Sequence, residues 1–388
     1  MRIAIFADNF LPQVNGVVTA TLNLAKGMAN KGHEVLIIAP KYSEKCTFSY
    51  KNIEIFRQAS MPAFFYPDLK LAPTFNPIFF NYLRKKKIDV IHFVTPLFLG
   101  MQAIISANLL KKPLIGTFHT FFADDQYLKH AKLNYSFMQS LGWSYSNMFY
   151  NKCNLVTSPS FFTKRELSKN GCKVPIKVIS NGINPDIFDD KGLKRIKAKY
   201  GKNSKLILFV GRLAYEKNLE YLLECFSLVL RKFSNVKLLI IGSGPQEELI
   251  KKKSRDLLLD DNVFFLGSIK YEILISYGYF QACDLFVTAS KTENQPMTIL
   301  EAQQNGLVCV GLKEKGVPDL IKNNVNGFLL KDGDKKGFAN AIINLLTNEK
   351  LYESMKDATL KHVKKHHING IVDEWEKTYL SVINSYKK

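Results

Sequence analysis

RIAIFADNFLPQVNGVVTATLNLAKGM, residues 2–28, is the stretch that decides the fold. It opens on a short continuous apolar run, RIAIFA (2–7), with a turn-rich stretch behind it. Helical spacing of apolar residues follows over 17–31, and Lys31-Gly32 is a good helix stop. EVLIIAP (34–40) is the next apolar run. Continuous apolar strands joined by a helix predict a parallel sheet covered on both faces.

The same alternation runs outward along the chain. DVIHFV (89–94), PLIGTFH (113–119), NLVTSPS (154–160) and IKVISNG (176–182) read as further strands, with helices near 75–87, 97–110, 124–150 and 160–170. A second series follows: KLILFVG (205–211), VKLLIIG (236–242), VFFLG (263–267), DLFVTAS (284–290), LVCVG (307–311) and GFLL (327–330). Its helices fall near 218–233, 246–257, 298–306, 334–347 and 350–366. The break lies in NGINPDIFDDKG (181–192), where Gly, Pro and Asp interrupt the pattern. The expectation is an α/β protein of two doubly wound, Rossmann-like domains, 1–185 and 186–369, with a last helical stretch that carries Trp375. In such sheets ligands bind at the carboxyl ends of strands, so two facing sheets would hold a ligand in the cleft between them.

Composition agrees and narrows the function. At 388 residues the chain exceeds the roughly 100–200 of one ordinary domain. With 46% hydrophobic and 23% charged residues it is neither disordered, collagenous nor a coiled coil. No run approaches the roughly 20 apolar residues of a membrane-spanning helix. The amino-terminal sequence lacks a signal-peptide pattern, so a cytosolic protein is expected. Cys46, Cys153, Cys172, Cys225, Cys283 and Cys309 have no metal-ligand spacing and read as reduced core residues.

The net charge is +20, with +12 in residues 1–188 and +8 beyond. Such an excess points to nucleic acid, an anionic membrane or acidic substrates. The chain shows no recognisable nucleic-acid module, so nucleic acid is not an expected partner. No obligate protein partner is evident.

Four stretches could carry chemistry. Gly16 opens the first helix behind a strand end, where free N–H groups and the helix dipole suit a phosphate. The loop is not GxGxxG, and Gly16 reads equally as a turn glycine. GRLAYEKN (211–218) puts Arg212 and Lys217 at a strand's carboxyl end, a pair of cations suited to a diphosphate. Elsewhere such a pair is usually solvated. KTENQPMTILEAQQNG (291–306) holds Glu293 and Glu301. They could accept hydrogen bonds from sugar hydroxyls, or serve as helix-start acids against the dipole. GTFHTFFADDQYLKH (116–130) puts His119 at a strand end, where a lone His is more often structural. Asp124-Asp125 lacks the spacing and partners of a metal site, so no metal is expected.

Together the four stretches resemble the retaining GT-B glycosyltransferases of family 4 over the whole chain. The most specific part is Glu293, seven residues, Glu301, combined with GRLAYEKN and GSGP (242–245). The resemblance implies that Arg212 and Lys217 hold the donor diphosphate, with the Gly16 backbone against the same phosphates. Glu301 would bind the nucleotide ribose, Glu293 the transferred sugar, and His119 would line the reacting centre. It implies no cofactor and no metal, and it returns the last helix, 370–388, to the first domain. DNFLPQVNGVVT and TFHTFFADDQYLKH look like the bacterial diacylglycerol hexosyltransferases, which take UDP-glucose or UDP-galactose and work peripherally on the cytosolic leaflet. That likeness puts Phe121, Phe122 and Asp125 on the acceptor side. The sequence departs from the family at Gln295-Pro296, where many members carry Phe-Gly. Pro296 has no N–H, which removes any backbone contact to the sugar there.

A membrane acceptor has support from the residues themselves. Basic clusters at 84–87, including Lys85 and Lys86, and at 111–112, 129–132 and 164–169 all lie in the first domain. SMPAFFYPDLKLAPTF (60–75) strings Phe64, Phe65 and Tyr66 between prolines. An aromatic loop beside basic clusters suits an anionic lipid surface. It equally suits ordinary packing under a long loop. The reaction expected is transfer of a hexose to diacylglycerol with retention. The alternative is a GDP-mannose-dependent mannosyltransferase acting on phosphatidylinositol or a polysaccharide.

Overall fold

A computed structural model describes residues 1–13, 15–42, 48–63, 66–74, 76–119, 135–184 and 190–387. The chain divides into two compact units. One comprises Met1–Gly182 with Ile368–Lys388, the other Ile183–His367. The sequence reading set the corresponding limits at 185/186 and 370.

The first unit is built on a seven-stranded sheet. Its strands are β1 (Arg2–Phe6), β2 (Glu34–Pro40), β3 (Ile53–Gln58), then β6 (Val90–Phe93), β7 (Leu114–Thr117), β8 (Leu155–Ser158) and β9 (Ile176–Val178). Two short strands, β4 (Met61–Ala63) and β5 (Tyr66–Leu71), form an antiparallel pair apart from it. The spatial order is β3-β2-β1-β6-β7-β8-β9, all parallel. Ala4 of β1 lies beside Leu36 on one flank and Ile91 on the other. The central strands are buried along their length, which is why they read as unbroken apolar runs.

Right-handed crossovers decide where the helices lie. From β1 the chain moves one way to β2, through α1 (Gly16–Asn30). From β6 to β9 it moves the other way, through α3 (Phe98–Leu110), α4 (Tyr135–Tyr150) and α5 (Phe161–Lys169). These three share a core with α2 (Pro77–Lys85), built around Phe79, Leu99, Ala103, Trp143 and Phe149. The opposite face carries α1. There Met28 and Ala25 pack with Ile371, Val372, Trp375 and Tyr379 of the last helix. Gly27 allows that approach, because a Cβ there would stand 2.1 Å from Val372 Cγ2.

Local sequence starts each helix. Asn15 caps α1 by accepting from Val18 N at 3.0 Å, and Asn76 caps α2 by accepting from Phe79 N at 3.2 Å. Leu97, before α3, has no side-chain cap to offer. Asp8, just past β1, supplies it from another part of the chain: its Oδ1 accepts from Leu99 N at 2.9 Å. Thr95 Oγ1 donates to the other oxygen at 2.9 Å. Burial nevertheless dominates and pushes the Asp8 carboxyl up to about 6.

The second unit repeats the scheme with six parallel strands: β10 (Lys205–Val210), β11 (Val236–Ile241), β12 (Val263–Phe265), β13 (Leu285–Thr288), β14 (Val308–Leu312) and β15 (Gly327–Leu330). Their order is β12-β11-β10-β13-β14-β15. The helices are α6 (Asp190–Tyr200), α7 (Leu219–Leu230), α8 (Glu247–Asp256), α9 (Tyr271–Ser276), α10 (Tyr279–Ala282), α11 (Met297–Gln304), α12 (Val317–Leu320), α13 (Lys335–Thr347) and α14 (Glu349–Val363). The chain then returns to the first unit as α15 (Ile368–Lys387).

Several elements correct the sequence reading. β3 and α6 were not expected. β3 is an edge strand whose apolar residues are interrupted by Glu54 and Arg57, so it lacks the continuous run of its neighbours. α6 sits inside what reads as a breaker-rich, basic boundary. The helix expected over 124–150 is described from Tyr135 onward.

Candidate functional site

In an open parallel sheet the ligand position is where strand order reverses, outside the carboxyl ends. In the second unit that point lies between β10 and β13. The chain leaves β10 as Gly211-Arg212-Leu213 and turns through a 3-10 segment, Tyr215–Lys217. Lys217 thus precedes α7 rather than beginning it. The chain leaves β13 as Ser290-Lys291-Thr292-Glu293. The two predicted groups of residues therefore flank one switch point.

Backbone contacts fix both loops. Leu213 N donates to Ser243 O at 2.9 Å, and Gln246 N donates to Leu213 O at 3.0 Å, so GRLAYEKN is stitched to GSGP. Glycine is required at the seam. Gly242 has φ +143°, and a Cβ there would stand 1.8 Å from Gly211 O. Lys291 N and Ser290 Oγ both donate to Glu216 O, at 3.0 and 3.3 Å. The loop after β13 is held from its other side by Gly316, whose N–H donates to Glu293 O at 2.8 Å. A Cβ on Gly316 would come within 1.9 Å of Asn294 O.

Within this frame Lys217 Nζ donates to Glu293 Oε1. The two side chains are only 20% and 19% exposed. Sequence reasoning gave them separate partners; the structure joins them directly. Arg212 lies one residue past Gly211 at the same strand end. Glu301 is not at a helix entrance but in the second turn of α11, and it is buried. Pro296 takes the position before α11, and that helix has no side-chain cap. Lys291 reaches Asp332 at 2.6 Å, outside the predicted set.

In the first unit the switch point lies between β1 and β6. Gly16 is the first residue of α1, behind β1, and it is exposed. His119 lies two residues past β7 and is half-buried. Burial pushes its imidazole down to about 4, so it is neutral at ordinary pH. Beneath it His92 is wholly buried between two hydroxyls, Tyr379 at 2.7 Å and Thr117 at 2.6 Å. Burial and the neighbouring His119 push His92 down to about 3. The pocket shared by His92, Thr117, His119 and Trp375 holds about 20 Å³, room for about one water molecule. A larger groove of about 600 Å³ runs between β8, β9 and α15 past Asn154, Lys177 and Tyr386. It opens at the amino end of β8, away from the carboxyl ends.

Of the other predicted residues, Lys85 and Lys86 lie at the end of α2, and Lys86 pairs with Glu54 at 2.5 Å. Phe64, Phe65, Phe121, Phe122 and Asp125 lie outside the described residues, and Tyr66 is described in its backbone alone. Among the described residues no group of three or more His, Cys, Asp or Glu could hold a metal ion. No described helix is long and apolar enough to cross a membrane. The described cysteines, Cys153, Cys172, Cys225, Cys283 and Cys309, are free thiols.

Two doubly wound parallel sheets, each with charged or polar side chains at its switch point, define a GT-B architecture. Anabaena HepE in complex with UDP shares it, with a TM-score of 0.76, covering 98% of this chain and all of that one at 18% identity. Residues 14–187 match the profile of Glycosyltransferase Family 4 and residues 190–362 that of Glycosyl transferases group 1, so the chain belongs to the GT-B glycosyltransferases of these families. It is a hexosyltransferase. An alpha-monoglucosyldiacylglycerol synthase of Streptococcus pneumoniae is 29% identical over 96% of the chain and 86% of its own length. A GDP-mannose-dependent alpha-mannosyltransferase of Corynebacterium glutamicum is 28% identical over 99% of the chain and 89% of its own length.

Proposed function

We propose that the protein transfers glucose or galactose from a UDP-sugar to diacylglycerol with retention, forming α-monohexosyl diacylglycerol. The observation that carries this reading is the likeness to the pneumococcal diacylglycerol enzyme along almost the whole chain. The basic first unit adds to it. The second unit would bind the nucleotide sugar and the first the acceptor.

Arg212 and Lys217 would neutralise the diphosphate, which gathers charge as it leaves the anomeric carbon. Glu293 would accept from hydroxyls of the transferred sugar and Glu301 from the ribose. The Gly16 amide would add a donor to the phosphates. His119, neutral, would hydrogen-bond the sugar beside the reacting carbon. The acceptor hydroxyl would attack from the face that UDP vacates, and its proton would pass to the departing phosphate oxygen. Positioning and charge stabilisation are then the whole of the catalysis, with no metal or cofactor. The enzyme would work on the inner face of the cell membrane.

The test is a transfer assay with diacylglycerol vesicles, with and without anionic lipid, offering UDP-glucose, UDP-galactose and GDP-mannose in turn. Hexosyl diacylglycerol from one UDP-sugar is the expected product. Turnover in excess chelator should equal that without it. The Corynebacterium relative favours a second reading, GDP-mannose as donor to a phosphatidylinositol or a polysaccharide. Competition by free GDP rather than UDP would replace the first reading with the second.

A further inference from the structure

The helical layer formed by α2, α3, α4 and α5 contains one element unlike its neighbours. α4, YSFMQSLGWSYSNMFY, carries no charged residue. Its inner side is ordinary core, with Trp143, Phe149 and Tyr150 buried. Its outer side is not ordinary surface. Phe137 is 61% exposed, Leu141 48%, Tyr145 40% and Met148 48%. At about 100° per residue these four fall within an arc of about 80°. Ser140 and Ser144 are the other exposed residues of the same face. Single exposed apolar residues need no explanation, but a helix apolar on both sides has something to bury both sides against.

The surroundings say what that something is. α5 lies beside α4, tied to it where Asn147 Nδ2 donates to Asn170 O at 2.6 Å. It begins with exposed Phe161 and carries Lys164, Arg165 and Lys169. α3 packs against α4 and shows exposed Leu109 in its last turn, followed by Lys111 and Lys112. α2 shows exposed Ile78 and ends in Arg84 and Lys85. Among the described residues of these four helices and the lysines that follow them, Glu166 is the one acid. An uncharged apolar ridge flanked by cations matches an anionic bilayer, whose headgroups meet the cations while the ridge enters the acyl boundary. A second copy of the chain would set this basic face against itself.

The geometry points to α4 as the element that lies in the surface of an anionic membrane, through Phe137, Leu141, Tyr145 and Met148. This surface is distinct from the aromatic segment 60–75. It rests on the lipid-acceptor reading for its purpose, but not for its measurement.

The full chain is mixed with vesicles of phosphatidylglycerol and phosphatidylcholine that contain neither diacylglycerol nor donor. A variant with Phe137→Ser, Leu141→Ser and Met148→Ser changes exposed positions only, and an unchanged melting temperature verifies its fold. Its vesicle partitioning should fall at least ten-fold. A Leu141→Trp variant should gain fluorescence that brominated acyl chains quench beyond the wild-type level. Partitioning of the triple variant equal to wild type, or no added quenching, overturns the proposal. So does a dimer in lipid-free sedimentation that the triple variant abolishes. If the quenching is present but no hexosyl diacylglycerol forms, the acceptor reading fails and the membrane surface stands. If the product forms and the triple variant partitions normally, the surface fails and the acceptor reading stands.

Discussion

Lys217 donates to the carboxylate of Glu293 across the switch point of the second sheet, although 76 positions separate them in the chain. Each loop is separately anchored by backbone hydrogen bonds, so the pair forms between two prepositioned groups. In the proposed reading, a diphosphate that takes up the Lys217 charge would leave the Glu293 oxygens to accept from sugar hydroxyls. The pair would then couple arrival of the leaving group to readiness of the sugar site.

If that coupling operates, Arg212→Ala and Lys217→Ala should each lower kcat/KM on the order of 100-fold or more. Glu293→Ala should cripple transfer while changing UDP affinity far less. Steady-state kinetics with calorimetric UDP binding separates the two effects. Equal losses of transfer and UDP binding in Glu293→Ala would remove it from the sugar site.

Gly316→Ala should disturb the same site without touching it. The added methyl meets the Asn294 carbonyl at 1.9 Å, so the Glu293 loop must shift. We expect a loss of about 1–3 kcal/mol in stability, with a fall in kcat larger than the change in KM for an acceptor bound elsewhere. A wild-type kcat in this variant would show that the Glu293 loop tolerates displacement.

Asp8→Ala should cost about 1–2 kcal/mol by uncapping α3, judged from helix caps in general. Asp8→Asn, which keeps an acceptor for Leu99 N, should cost less. Urea unfolding of both variants with unchanged m-values checks this. A larger loss in the Asn variant would mean that the second carboxylate oxygen, which accepts from Thr95 Oγ1, matters more than the cap.

Acid should weaken the fold through His92. Its folded value, about 3, lies below the ordinary 6.5. The unfolded chain therefore binds a proton that the folded chain refuses. This stability is complete above about pH 6.5 and is lost as pH falls toward the folded value. At pH 5 the loss is on the order of 2 kcal/mol. Asp8 acts in the opposite sense. With a folded value of about 6 against 3.8, its contribution is present below 3.8 and lost as pH rises through 6. His119 and His366, both pushed down to about 4, reinforce His92, so the sum falls with acid. His92→Gln should show a shallower fall between pH 7.5 and 5 in urea titrations. An identical slope would place the acid sensitivity elsewhere.

The buried strands were legible because parallel sheets demand continuous apolar runs, and RIAIFA, KLILFVG and DLFVTAS have nothing else to be. β3 was not, because an edge strand with Glu54 and Arg57 on it resembles a loop. Arg212 and Lys217 could be picked out from their place at a strand end, and Glu293 from the loop before a helix. The direct pairing of Lys217 with Glu293 could not, since it depends on two loops meeting. Asp8 and Gly316 were missed for the same reason: the Asp8 partner is Leu99, and the Gly316 partner is a carbonyl on another loop. No local pattern encodes such contacts. The exposed stripe of α4 has helical spacing, but the sequence alone does not tell which side of an all-apolar helix faces out.

Trp375 and Tyr379 complete the core of the first unit from α15, after the whole of residues 183–367 has intervened. On the ribosome, the first sheet therefore waits with one face open while the second unit emerges and can fold. During that interval the apolar surface around Met28 and Ala25 is available to chaperones, and the first unit closes last although it is made first.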